Sequence, residues 1–99
     1  MEFHEHLNAV MKKYHISAKE VSELSGISTS ALSRYRKGER TPDSTASQHI
    51  LSAVLRLIAQ KGEKLSEEEQ LSIRNALTLK ESVFHTQHFD LLISKLNIS

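Results

Sequence analysis

The sequence contains no cysteine, one proline and three glycines in 99 residues. The absence of cysteine excludes disulfide bonds, thiolate catalysis and metal sites that need cysteine ligands. No uninterrupted apolar run exceeds three residues, as at Ala53–Leu55 and Leu91–Ile93, so no membrane span is expected. The opening residues Met-Glu-Phe-His-Glu-His lack the basic and then apolar pattern of a secretory signal. We therefore expect a cytoplasmic protein.

Apolar residues recur at helical spacing, and no stretch alternates for long with the period of a strand. A content of 38% hydrophobic and 25% charged residues is typical of one globular domain. The pattern predicts an all-α protein of five or six helices. Three apolar stripes carry this prediction: Phe3, Leu7, Val10, Met11 and Tyr14; Ile50, Ala53, Val54, Leu57 and Ile58; and Phe89, Leu92, Ile93 and Leu96.

Several helix starts are marked by capping residues. Residues 17–20 (Ser-Ala-Lys-Glu) and 66–69 (Ser-Glu-Glu-Glu) have the spacing of capping boxes. The start of the fourth helix stays open, because Thr41, Asp43 and Thr45 are all suitable N-caps.

The most informative stretch predicts two short helices, residues 18–24 and 28–36, joined by Ser25-Gly26-Ile27. Gly26 lies where the first helix must end and the chain must turn at positive φ. Two crossed helices joined by such a turn form a helix-turn-helix. The alternative is two capped helices of an ordinary bundle. Apolar residues at four positions would pack the pair together: Val21, Ile27, Leu32 and Tyr35.

The second of these helices is unusual in its charge. Its first turn has no acidic residue, although helix starts favour one. Residues 28–42 contain four cations against Glu39 alone, so this stretch carries +3 while the whole chain carries only +1. A carboxylate-free helix start beside a basic cluster is suited to a polyanion. The face opposite Leu32 and Tyr35 consists of polar residues: Thr29, Ser30, Ser33, Arg34 and Lys37.

The string ISAKEVSELSGISTSALSRYRKGERTPD, residues 16–43, resembles the Cro/CI/Xre-type helix-turn-helix family, which includes the lambdoid phage repressors. The resemblance covers residues 1–60. It implies a lambda-repressor-like domain of about five helices, whose third helix enters the major groove of double-stranded DNA, usually as a homodimer on a palindromic operator. By position, the candidate base-reading residues are Thr29, Ser30, Ser33 and Arg34, and the candidate backbone contacts are Ser17, Lys19, Ser28, Arg36, Lys37 and Arg40.

The sequence departs from this family in three places. Ala18 stands where the family often has a glutamine that braces a recognition side chain, and Ser25 stands where a small apolar residue is common. Tyr35-Arg36 replaces a hydrophobe followed by glutamate, which adds positive charge near the groove. We expect Arg34 to bind guanine bidentately, with a phosphate contact as the alternative. Arg36 is alternatively solvated or paired with Glu39.

The charged stretch 61–64 predicts a boundary between a DNA-binding domain, residues 1–60, and an appended C-terminal helical segment, residues 61–99. This segment carries more apolar surface than the first domain can cover, so we expect it to form a homodimer. The alternative is that it folds back entirely on its own domain. The expected dimerisation residues are Leu51, Leu55, Phe89, Leu92, Ile93 and Leu96.

The six histidines do not have the spacing of a metal site. His85 and His88 could share a helix face, but no third ligand follows at helical spacing. We expect no metal, no cofactor and no enzymatic activity, since no catalytic motif is present. The sequence predicts a transcriptional regulator, a repressor that acts by occupying promoter DNA. The alternatives are an antitoxin-like or anti-repressor module that binds an unknown protein partner, and a metal- or ligand-responsive sensor.

Overall fold

The computed structural model of the protein describes residues 2–78, which form five α-helices and no β-strand. The prediction of an all-α fold with a helix-turn-helix is confirmed. No helix in this part of the chain combines the length and the apolar character needed to cross a membrane. The helices are α1 (Phe3–Lys13), α2 (Ala18–Ser25), α3 (Thr29–Lys37), α4 (Ser44–Gln60) and α5 (Glu67–Ala76).

Both predicted capping boxes are present. Ser17 Oγ accepts the Glu20 N–H at 3.1 Å, and Glu20 Oε1 accepts the Ser17 N–H at 3.0 Å. Ser66 and Glu69 form the same pair of hydrogen bonds, at 3.1 and 3.2 Å. The backbone N–H groups that each carboxylate accepts lower the pKa of Glu20 and of Glu69. The start of α2 and the start of α5 are thereby fixed by local hydrogen bonds.

The start of α4 is set by Asp43, one of the three caps that the sequence left open. Asp43 Oδ1 accepts the N–H of Ala46 at 2.7 Å, which makes Ser44 the first helical residue. The preceding Pro42 is buried. Asp43, Thr41 and Thr45 are all exposed, so burial does not distinguish the three, and aspartate is the stronger N-cap residue.

Helix α3 packs against both α1 and α2, and α2 packs against α4, so the predicted pair of short helices sits on a scaffold of longer ones. Burial of these apolar side chains holds the helices together. All five helices contribute residues to one buried hydrophobic cluster. Its members are Leu7, Met11, Ile16, Val21, Leu32, Tyr35, Ile50, Ala53, Val54, Leu57, Ile58, Ile73 and Leu77.

Helix α5 packs on α1 and α4. Ile73 on α5 and the C-cap residue Leu77 are 6% and 0% exposed and belong to the same cluster as the helix-turn-helix. The start of the predicted C-terminal segment therefore shares its core with the preceding residues. Residues 79–99, which hold the rest of that segment, lie outside the described part of the chain. A domain boundary at residue 60 stays a prediction.

Candidate nucleic-acid interface

The turn between α2 and α3 is built around Gly26. Its φ of +75° is in the left-handed region, and its N–H donates to Ser22 O at 3.0 Å, which ends α2. The turn consists of residues 26–28, so the predicted turn at Ser25-Gly26-Ile27 was placed one residue early. The helix continues through Ser25 because the left-handed residue that stops it is Gly26. Ser25 Oγ accepts the Ile27 N–H at 3.1 Å, so this polar residue stabilises the turn.

The N-terminal end of α3 is open to solvent. Ser28 Oγ accepts the Ala31 N–H at 3.1 Å and satisfies one of the free donors of the first turn. Thr29 and Ser30 follow it, both are exposed, and the first turn contains no acidic residue. The positive end of this helix dipole therefore has hydroxyl groups around it and no carboxylate on its own first turn.

The two sides of α3 separate as the sequence predicts. Leu32 and Tyr35, at 0% and 7% exposure, face the core, while Arg34 is exposed. We call the solvent side of the helix the α3 outer face, and it consists of Thr29, Ser30, Ser33, Arg34 and Lys37. Ser33 is half-buried, and the other four are exposed. All four predicted base-reading residues therefore lie on one helix and on this face; their contacts with DNA stay a prediction.

The C-terminal end of α3 is closed by a Schellman motif. Gly38 has φ of +77°, its N–H donates to Tyr35 O at 3.3 Å, and the Glu39 N–H donates to Arg34 O at 3.0 Å. Arg34, Arg36 and Lys37 lie in the last turn, where cations interact favourably with the negative end of the helix dipole. Arg40 is exposed in the loop that follows. The positive charge predicted for residues 28–42 is therefore concentrated at this end of α3.

Two further candidate backbone contacts lie at the start of α2. Ser17 is the N-cap of the helix and Lys19 is in its first turn; both are exposed. The Ser17 hydroxyl accepts a backbone N–H, which leaves its own proton free to donate. Both residues therefore lie at a helix N-terminus, where a phosphate can bind. Their contacts with DNA phosphates stay a prediction.

Arg36 is not paired with Glu39, and its side chain is held by Asn8 on α1. Its Nε donates to Asn8 Oδ1 at 2.8 Å, and Asn8 Nδ2 donates to Arg36 O at 2.8 Å, so the side chain is half-buried against α1. Within residues 2–78, Arg36 forms no ion pair with Glu39. Asn8 is a residue that sequence reasoning missed. The only signal for it was Arg36 itself, in a position where the family commonly has glutamate.

Leu51 and Leu55, predicted at a dimer interface, are half-buried on α4 and pack beside the core. The other four predicted interface residues lie outside the described part of the chain: Phe89, Leu92, Ile93 and Leu96.

His85 and His88, the two histidines that could share a helix face, also lie outside the described residues. His4 and His6 are half-buried on α1. Among residues 2–78, no three histidine, aspartate or glutamate side chains lie close enough together to hold a metal ion.

Comparison with known proteins agrees with this geometry. Residues 7–54 match the family HTH_3, which is described as helix-turn-helix. The matched range includes α2, the turn at Gly26, α3 and most of α1 and α4. No match was found among curated proteins or among solved structures.

Proposed function

Residues 7–54 are a helix-turn-helix domain of the Cro/CI (Xre) type, a DNA-binding and non-enzymatic family, and from this premise we propose that the protein is a transcriptional repressor. The proposal has three parts: the α3 outer face reads the bases of a specific operator, the operator is palindromic, and the protein binds it as a homodimer.

The observation that carries the proposal is the exposure of Arg34 together with Thr29 and Ser30 on the α3 outer face. A guanidinium on a helix that fits the major groove can donate two hydrogen bonds to guanine O6 and N7. The two hydroxyl residues at the helix start can contact bases or phosphates, and the threonine methyl can pack on a thymine methyl. Exposed Lys37 and Arg40 supply charge for the DNA backbone.

The homodimer is proposed on the apolar content of residues 79–99. Phe89, Leu92, Ile93 and Leu96 recur at helical spacing, and a second copy of the chain would bury them. Two-fold symmetry of the protein requires a matching symmetry of the operator. A dimer bound across a promoter would exclude the transcription machinery, which is why repression is the proposed outcome.

Selection of random duplexes by the purified protein tests all three parts together. We expect an enriched site with two inverted half-sites separated by about one helical turn, roughly 10 base pairs, or a multiple of it. Enrichment of a single half-site would contradict the dimer and leave sequence-specific binding in place.

Salt dependence then separates DNA binding from the protein-binding alternative. The affinity for the selected duplex should fall with salt with a log–log slope of about −0.9 for each phosphate contacted. No enrichment, combined with no salt-dependent binding of any duplex, would contradict the proposed function and favour a protein partner.

A further inference from the structure

Asn8 and Arg36 form a reciprocal pair that joins the middle of α1 to the last turn of α3. Asn8 Nδ2 donates to Arg36 O, Arg36 Nε donates to Asn8 Oδ1, and both distances are 2.8 Å. The two residues are 28 apart in sequence, and both are partly buried. Asn8 therefore binds both the side-chain Nε and the backbone carbonyl of Arg36.

This arrangement immobilises the charge of Arg36 without cancelling it. The guanidinium has five N–H donors, and the bond to Asn8 uses the one on Nε. In the described part of the chain, the Nη groups donate to no side chain, and no carboxylate pairs with Arg36. Since Asn8 is neutral, the full positive charge of Arg36 is retained on the last turn of α3, which also carries the exposed Lys37 and is followed by the exposed Arg40.

We propose that Asn8 is a positioning residue for DNA binding, which holds the Arg36 guanidinium in place so that its Nη groups meet a phosphate of the duplex. The inference rests on the proposed function and adds a residue outside the helix-turn-helix to the binding machinery. An immobilised arginine does not lose side-chain freedom when the duplex arrives; for a long side chain that loss weakens binding by about threefold to tenfold. A guanidinium is also suited to bidentate contact with phosphate.

The test is a double-mutant cycle on operator affinity, with Asn8→Ala, Arg36→Ala and the double variant, measured at several salt concentrations. Arg74→Ala is the matched control, because Arg74 is an exposed arginine on α5. Circular dichroism at the assay temperature checks that each variant is folded.

We expect Arg36→Ala to weaken binding and to reduce the magnitude of the salt slope by about one phosphate contact. Asn8→Ala should weaken binding by about threefold to tenfold with the wild-type slope, because the charge is retained but no longer held. In the Arg36→Ala background, Asn8→Ala should have no further effect on affinity. The Arg74→Ala control should bind as the wild type does.

A second variant keeps the proposal testable if Asn8→Ala does not fold. Asn8→Asp retains an oxygen that accepts from Arg36 Nε but places a carboxylate beside the guanidinium. We expect it to reduce the magnitude of the salt slope as Arg36→Ala does. An arginine paired with a carboxylate no longer neutralises a phosphate, so it no longer displaces a counterion from the duplex. Ala9→Asp, which adds the same charge at an exposed neighbouring position on α1, should reduce the slope less.

Two results would overturn the inference alone: an Arg36→Ala slope equal to that of the wild type, or an equal loss from Asn8→Ala with and without Arg36. Either would assign the pair a purely structural role. A wild-type protein that binds no duplex in a salt-dependent manner would overturn the proposed function, and the inference with it.

Discussion

The imidazole of His4 lies directly against Gly38, so that a Cβ atom at Gly38 would stand 3.0 Å from His4 Nδ1 and 3.1 Å from Cε1. Gly38 ends α3 with φ of +77°, and Gly26 ends α2 with nearly the same φ of +75°. The space around the two glycines differs, because nothing lies within 4 Å of a Cβ at Gly26. The two residues therefore have the same backbone requirement and different packing requirements.

Gly38→Ala is expected to destabilise the protein more than Gly26→Ala. Both variants force an L-residue into the left-handed region, at a cost of about 1–2 kcal/mol. Gly38→Ala must also displace the His4 ring, which we expect to add about 1 kcal/mol, within the range for overpacking. Urea denaturation measures both free energies of unfolding. The difference between the two variants should shrink in a His4→Ala background, and equal costs in the wild-type background would contradict this explanation.

The Glu20 carboxylate predicts a specific pH dependence of stability. It accepts the Ser17 N–H and also pairs with Lys61 Nζ at 3.1 Å, and these contacts, the backbone hydrogen bond first, lower the pKa of Glu20 from its ordinary value of 4.5. Because the folded-state pKa is depressed, the stabilisation is complete well above pH 4.5 and is lost as the pH falls through the folded-state value.

Glu20→Gln should therefore lower the melting temperature at neutral pH, and its difference from the wild type should disappear in acid. The effect is small because the pair is exposed to solvent. Glu23→Gln, which removes the same charge from an exposed position on α2, is the control. Its difference in melting temperature from the wild type should not change in this way as the pH falls. A Glu20→Gln deficit that is constant over the whole pH range would assign the effect to packing instead of charge.

Substitutions of Arg34 and of Lys37 are expected to affect DNA binding in different ways. Arg34→Ala should remove about 1–3 kcal/mol of discrimination at one base position of the selected operator, because the bidentate contact to guanine is lost. Lys37→Ala should weaken binding to all sequences alike and reduce the salt slope by about one contact. Binding to the operator and to single-base variants measures both. A uniform loss for Arg34→Ala would show that Arg34 contacts a phosphate.

The dimer proposal is tested by placing a charge in the expected interface. Leu92→Asp should convert the full-length protein from dimer to monomer in sedimentation velocity, because a carboxylate cannot be buried unpaired at low cost. Leu71→Asp is the matched control: Leu71 is 58% exposed on α5, and its substitution should leave the dimer intact. A monomeric wild-type protein would contradict the proposal directly.

Local chemistry made most of the fold predictable. The capping boxes at Ser17 and Ser66 and the left-handed Gly26 need only residues that are close in sequence, and all three are confirmed. The start of α4 was left open because Thr41, Asp43 and Thr45 can each cap a helix, although aspartate is the stronger N-cap. The structure places the cap at Asp43, the residue that this local preference favours.

In the candidate site, some features were predictable from local sequence and others depend on how the helices pack. The exposure of Arg34 and the burial of Leu32 follow from helical periodicity alone. The contact between Asn8 and Arg36 depends on how α1 crosses α3, and neither residue's local sequence specifies that crossing. The sequence indicated an unusual charge at Arg36, and only the structure shows what holds it.

The central claim is that the α3 outer face binds duplex DNA. The most direct test is a titration of isotopically labelled protein with the selected operator duplex, followed through the backbone amide resonances of residues 2–78. We predict that the largest changes occur in residues 28–40 and that the α5 resonances change little. Changes concentrated on α5, with residues 28–40 unaffected, would contradict the claim.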